Sequence, residues 1–253
     1  MKKIFVLLGL LLFLEGIALF SVFLMKPETA TADESGKGPG ATKTAGYPAG
    51  GKRSTRALDI WERNEDVLVL VNGERALDSS YKASLRKICN GRLRAAKVMY
   101  RPLVRMLKDA GKEGYHFWIA SAWRSREKQQ KLVDEDVRRE MGRGVSYKEA
   151  RRRTLLETMP PGHSEHETGL ALDILCSENM NMDSSQARMP GNQWLKKNCH
   201  RYGFILRYPK NKEKITGIHY EPWHFRYVGE EASRYMKKHG LTLEEFWERL
   251  ENN

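Results

Sequence analysis

The chain reads as an α+β domain, a small and mainly antiparallel sheet with helices packed beside it. Two observations predict this. Short runs rich in aromatic and β-branched residues recur at 115–120, 169–175, 203–208 and 217–228, and each has the composition of a strand. Between and around them lie more polar stretches, at 81–107, 126–157, 194–202 and 229–250, with the length and patterning of helices. No internal repeat is visible.

The N-terminus sets the compartment. Met1-Lys2-Lys3 precedes an apolar run over residues 4–25 broken only by Glu15. The run exceeds the roughly 7 to 15 residues of a signal-peptide core and approaches the roughly 20 that cross a bilayer as a helix. Residues 1–25 are therefore read as a membrane anchor with its lysines inside, while Ala30-Thr31-Ala32 has the form of a cleavage site and supports a secreted alternative. Either way the remainder lies outside the cytoplasm. Residues 26–57 hold almost no large apolar side chain and are read as a flexible linker, leaving 58–253 as one folded domain, taken as a monomer. The net charge of +12 favours anionic surroundings. No nucleic-acid-binding motif accompanies that charge, so nucleic acid has only the charge in its favour and is not expected as the partner.

Within the domain, Val67-Leu-Val-Leu-Val71 before Asn72-Gly73 predicts a buried strand ending in a turn. Residues 81–107 predict one or two helices with Gly91 and Pro102 as breaks. The strand at 115–120 delivers Ser121-Ala-Trp-Arg124-Ser125 at its end. Residues 126–157 divide at Gly142-Arg-Gly144 into two helices, the second opened by Ser146 with Glu149 three residues on, a capping box. A final helix covers 229–250. Three cysteines, Cys89, Cys176 and Cys199, are too few for a disulfide scaffold. Cys176 and Cys199 flank one polar insertion and are expected to bridge in an oxidising compartment.

The chemistry gathers in two segments. The first is Pro160-Pro-Gly-His-Ser-Glu-His-Glu-Thr-Gly-Leu-Ala-Leu-Asp173, the second Glu221-Pro-Trp-His-Phe-Arg226. Alternation along the strand puts Asp173 among apolar neighbours, where a carboxylate needs a metal, a hydrogen-bond partner or a counter-charge. His163 and His166 are both within reach by spacing, and His224 is the best third ligand. Two histidines and an aspartate suit zinc and leave a fourth tetrahedral position open. Glu221, three residues from His224, can serve as a general base. In a regular strand the two would face opposite ways, so a bend is predicted at Pro222, which cannot donate to a ladder.

These residues, with Ser121-Ala-Trp-Arg124-Ser-x-x-x-Gln129 before them, resemble the VanY-type D-alanyl-D-alanine carboxypeptidases among the zinc peptidases. The likeness covers roughly residues 65–240 and departs visibly at Trp123, where a tyrosine is more usual. It implies a single catalytic domain of the Hedgehog/DD-peptidase-like fold. It implies His166, rather than His163, with Asp173 and His224 as zinc ligands, Glu221 as catalytic base, and Arg124, Gln129 and Ser164 as substrate contacts, Arg124 also assisting catalysis. The implied substrate is the stem peptide of peptidoglycan, losing its terminal D-alanine. An L,D-carboxypeptidase on the same scaffold and a non-cleaving peptide-binding domain are the alternatives.

Overall fold

The structure, a computed structural model, describes residues 55–251. The membrane segment expected at 1–25, and the linker up to residue 54, lie outside the described residues. Helix α1 (Thr55–Asn64) starts inside the stretch read as linker, with Ala57 fully buried, so the ordered domain begins before residue 58.

Two sheets carry the strands. A hairpin pairs β1 (Leu85–Ile88) with β2 (Leu93–Ala96). The main sheet has the order β3 (Phe117–Ser121), β4 (Ala171–Cys176), β6 (His224–Tyr227), β5 (Phe204–Leu206), every pair antiparallel. The α+β expectation therefore holds. All six residues of β4 are buried. Leu170, Leu172 and Ile174 join the core formed with Met99, Leu103 and Met106, which leaves the opposite face of β4 to Asp173. The core side is closed by α2 (Tyr100–Lys112) and α5 (Pro190–Asn198). Helices α3 (Arg126–Met141) and α4 (Tyr147–Thr154) form a pair, with Ser146 accepting from the Glu149 amide as its capping position requires.

Several elements differ from expectation, each for a physical reason. Residues 67–71 form no strand: Val67, Leu68, Leu70 and Val71 are buried, but the carbonyls of residues 67–69 are taken by side chains. Arg226 Nη2 donates to the carbonyls of Val67 and Val69, and Trp247 Nε1 to that of Leu68. Residues 85–96 are a hairpin, not helix, because the turn holds Cys89, Asn90 and Gly91 at positive φ, a conformation no helix tolerates. Pro102 is no break; it sits in the first turn of α2, where its missing amide costs nothing. The strand expected over 217–228 shrinks to β6, preceded by the short helix α6 (Glu213–Thr216) and a turn. The C-terminal helix divides at Gly240 (φ 65°) into α7 (Glu230–His239) and α8 (Leu243–Glu251), the second opened by a reciprocal Thr242/Glu245 capping box.

The expected disulfide is also absent: Cys89, Cys176 and Cys199 are all free thiols. A β-carbon on Gly191 would lie 3.1 Å from Cys176 Sγ, so the start of α5 touches one cysteine while the other follows its end. Eight helical residues span about 12 Å, beyond the roughly 7 Å Cα separation a bridge allows.

Gly169 joins the hairpin to the main sheet. Its φ is +76°, a β-carbon would stand 2.9 Å from Leu85 Cδ2, and its carbonyl accepts from the Ala96 amide at 2.9 Å. Gly169→Ala is therefore expected to lower stability by about 1–3 kcal/mol, read as a depressed melting temperature by calorimetry. Burial pushes the thiols of Cys176 and Cys199 up to about 11 and about 12. Both are accordingly expected to resist alkylation in the folded protein at pH 8 and to react fully in denaturant without reductant; a pair that reacts only after reduction would restore the bridge.

Candidate metal centre

Sheet register brings the two motifs together. Asp173 of β4 lies directly opposite His224 of β6, so both side chains leave the same face as close neighbours. His166 stands on a short 3-10 turn, Glu165–Thr168, just before β4. His166 Nε2 is 3.3 Å from Asp173 Oδ2, and His224 Nδ1 is 3.3 Å from Asp173 Oδ1. All three residues are buried, and one ligand atom from each lies within 4.8 Å of the others. His163 is elsewhere, its Nδ1 2.7 Å from the Asn72 carbonyl.

What the outer nitrogens touch decides which inner ones are free. His166 Nδ1 is 2.7 Å from the Ala122 carbonyl, which can only accept, so Nδ1 carries the proton and Nε2 presents its lone pair toward Asp173. On the other ring, His224 Nε2 faces Glu165 Oε2 at 3.5 Å, leaving Nδ1 for the centre. An acceptor behind each imidazole is the usual support of a metal-ligating histidine. The donor set fits zinc on that test.

The local charge agrees. Burial opposes the ionised form of Asp173, but His166 and His224 outweigh it and hold the carboxyl well below its usual range. His166 is pushed down to about 4 by burial and by Arg124. Burial would also depress His224, yet its contacts with Asp173 and Glu165 hold it up at about 9. The positive charge that Asp173 and Glu165 favour on His224 is one that a metal ion would supply in its place.

The bend expected at Pro222 is present. Residues 221–223 lie outside β6, and the His224 amide turns back onto the Glu221 carbonyl at 3.3 Å. Glu221 Oε2 thereby reaches 3.5 Å from His224 Nδ1. Burial raises its carboxyl to about 8 against the pull of His224. The turn is pinned by Asn192 of α5, whose Nδ2 donates to the Pro222 carbonyl at 2.7 Å. No motif in the sequence marks Asn192, which falls in a stretch that reads only as a polar insertion.

Arg124 is fixed on three sides. It donates to Asp173 Oδ2 (3.0 Å), Ser121 Oγ (3.0 Å) and Gln129 Oε1 (3.1 Å), with its side chain 14% exposed. Gln129 is buried, and its Nε2 donates to the Met159 carbonyl at 2.7 Å, so it stands behind Arg124. Ser164 is buried two residues before His166.

Sequence reading passed over Glu165. It is fully enclosed; its Oε1 accepts from Arg207 Nε (2.7 Å) and Arg226 Nη1 (2.6 Å). Arg207 in turn forks onto Glu244 of α8 at 2.8 and 2.6 Å. Burial alone would raise the Glu165 carboxyl, but the two arginines hold it far below the usual range. The available signal was Arg226, two residues after His224 and so on the same strand face.

A buried cluster of two histidines and an aspartate, with a further carboxylate turned toward it, defines a metal-dependent hydrolase site. Residues 92–230 match the family model described as VanY, D-alanyl-D-alanine carboxypeptidase. A D-alanyl-D-alanine carboxypeptidase of Enterococcus faecalis is 36% identical over 194 residues, covering 75% of this chain and 69% of that protein. A mutant of the vancomycin resistance D,D-pentapeptidase VanY, solved in complex with Zn(II), superposes with a TM-score of 0.66 at 35% identity, covering 72% and 99% of the two chains. The LdcB LD-carboxypeptidase gives a TM-score of 0.63 at 33% identity, covering 76% and 90%. The chain belongs to the VanY D-alanyl-D-alanine carboxypeptidase family.

Glu165→Gln should weaken zinc binding about 10–100-fold, measured by competition with a chromogenic chelator on protein whose circular dichroism is unchanged. An unaltered zinc affinity would reduce Glu165 to a counter-charge for the arginines.

Proposed function

We propose that His166, Asp173 and His224 hold the zinc ion, that Glu221 is the general base, and that Arg124, Gln129 and Ser164 contact the substrate, Arg124 also assisting catalysis. The observation that carries this reading is the turn at Pro222, which sets Glu221 Oε2 3.5 Å from His224 Nδ1. The enzyme is a zinc-dependent D,D-carboxypeptidase that hydrolyses the terminal D-alanine of peptidoglycan stem peptides.

Zinc, when bound, supplies Lewis acidity and brings the pKa of water from about 15.7 to about 7. The remaining work belongs to side chains. Glu221 takes a proton from the attacking water and passes it to the departing amine nitrogen, a contribution of roughly 10²- to 10⁴-fold. Glu221 is itself buried, so the proton it carries between the two steps is kept from bulk water. Arg124 presents a fixed cationic fork, already oriented by Ser121 and Gln129, to the C-terminal carboxylate or to the oxyanion of the tetrahedral intermediate.

The apolar run at 4–25 supports a membrane-anchored, extracytoplasmic enzyme working as a single copy beside the wall it trims. Among the described residues no helix is long and apolar enough to cross a membrane, so this placement rests on the sequence of the first twenty-five. The likeness to LdcB favours a second reading, cleavage of the L,D bond in a tetrapeptide stem. Product analysis decides: release of D-alanine from pentapeptide alone supports the D,D reading, and release from tetrapeptide replaces it.

Glu221→Ala is expected to retain zinc and lose about 10²- to 10⁴-fold in turnover, whereas His166→Ala should lose both metal and activity, read by metal analysis alongside the pentapeptide assay. An active Glu221→Ala enzyme would remove the base assignment.

A further inference from the structure

From Ser79 to Lys108 the chain has nine lysines and arginines and no acidic residue, so this segment alone accounts for nine of the twelve net positive charges. The structure folds its centre into the β1–β2 hairpin, where Arg86, Lys87, Arg92, Arg94 and Lys97 are all exposed. Several arginines elsewhere on the surface have carboxylate partners: Arg152 and Arg153 pair with Glu149, Arg139 with Asp136, and Arg143 with Glu140. Among the described residues, no carboxylate pairs with any of these five hairpin cations.

Their arrangement works against the fold. Lys87 and Arg94 stand directly opposite each other in the hairpin register, a like-charge pair that destabilises a two-stranded ladder. Aromatic rings hold three of the guanidinium groups in place without cancelling their charge: Arg86 lies 3.7 Å over Tyr100, Arg92 4.0 Å over Trp118, and Arg94 5.9 Å over Trp123. Trp118 is itself 41% exposed. The surface also runs into the catalytic site. The Trp123 amide donates to the Arg94 carbonyl at 2.9 Å, and the next residue is Arg124, which reaches Asp173.

We propose that the hairpin is a docking surface for a linear polyphosphodiester of the cell wall, which threads past the mouth of the site and holds the enzyme on its insoluble substrate. The proposal rests on the extracytoplasmic reading. Single anions repeated along a flexible chain match cations distributed over two strands and a turn. A flat anionic bilayer pressed on this face would cover Trp123 and Arg124, whereas a thin polymer leaves them open.

The test compares two triple variants of the full chain that remove the same charge. One carries Arg86→Gln, Lys87→Gln and Lys97→Gln; the control carries Arg151→Gln, Lys196→Gln and Lys214→Gln, all exposed and remote in sequence. Binding to synthetic poly(glycerol phosphate) is measured across a salt series. The hairpin triple should bind at least tenfold more weakly, with the log–log salt slope reduced by about 2, since each contact with a flexible polyanion contributes about 0.7. The control should change less than twofold. Both should hydrolyse a soluble pentapeptide at the parent rate, which separates failure of docking from failure of the catalytic reading. Equal weakening in the two triples, no binding by the parent, or phosphatidylglycerol vesicle binding that falls in the hairpin triple while polymer binding does not, would each overturn the proposal.

Discussion

Everything around the catalytic centre depends on one buried ion group, Glu165 between Arg207 and Arg226. None of the three has exposed side-chain surface, and a charge buried that deeply survives only when its neighbours neutralise and hydrogen-bond it. Here the neutralisation is shared. Glu165 Oε1 receives both arginines, Glu244 accepts from Arg207 and balances the second of their two charges, and backbone carbonyls of Val67, Val69 and Tyr227 absorb the remaining donors of Arg226. The other oxygen of Glu165 is thereby left facing His224. Removing one partner from such a group typically costs about 3–5 kcal/mol, so the same contacts that aim His224 also tie the core around α1, α7 and α8 to the sheet.

The sheet adds the second constraint. Because Asp173 and His224 are cross-strand partners and the side-chain period of a strand is two, a slip of one residue between β4 and β6 would send one ligand into the core. The register cannot drift, since Leu172 and Ile174 fill the opposite side. Where regular geometry would have failed, at Glu221, the chain leaves the strand. Pro222 withholds a ladder donor, and Asn192 fastens its carbonyl.

The site was more legible in the sequence than the fold around it. An aspartate in an apolar run, histidines in a Gly-rich loop and a proline between Glu221 and His224 carry their chemistry in their identity and order. The missed elements were those whose conformation depends on distant partners. Residues 67–71 have strand composition, yet their carbonyls are claimed by Arg226 and Trp247, more than 150 positions away. The 85–96 hairpin hides behind helix-compatible leucines because its turn depends on positive φ at Cys89 and Asn90, which residue type does not announce. Glu165 was overlooked for the same reason: a glutamate in a loop looks solvated until Arg207, 42 positions on, and Arg226 are seen to close over it.

The order of these partners along the chain has a temporal meaning. Synthesis delivers Glu165, His166 and Asp173 first, then Arg207 after 42 positions and Glu244 after 37 more. Until α8 arrives, the arginine that restrains Glu165 lacks its second counter-charge, and His224 lacks a settled acceptor. The centre is therefore completed late, by the last described helix. A hydrolase assembled in this way stays unfinished during synthesis and becomes competent only once its domain has closed.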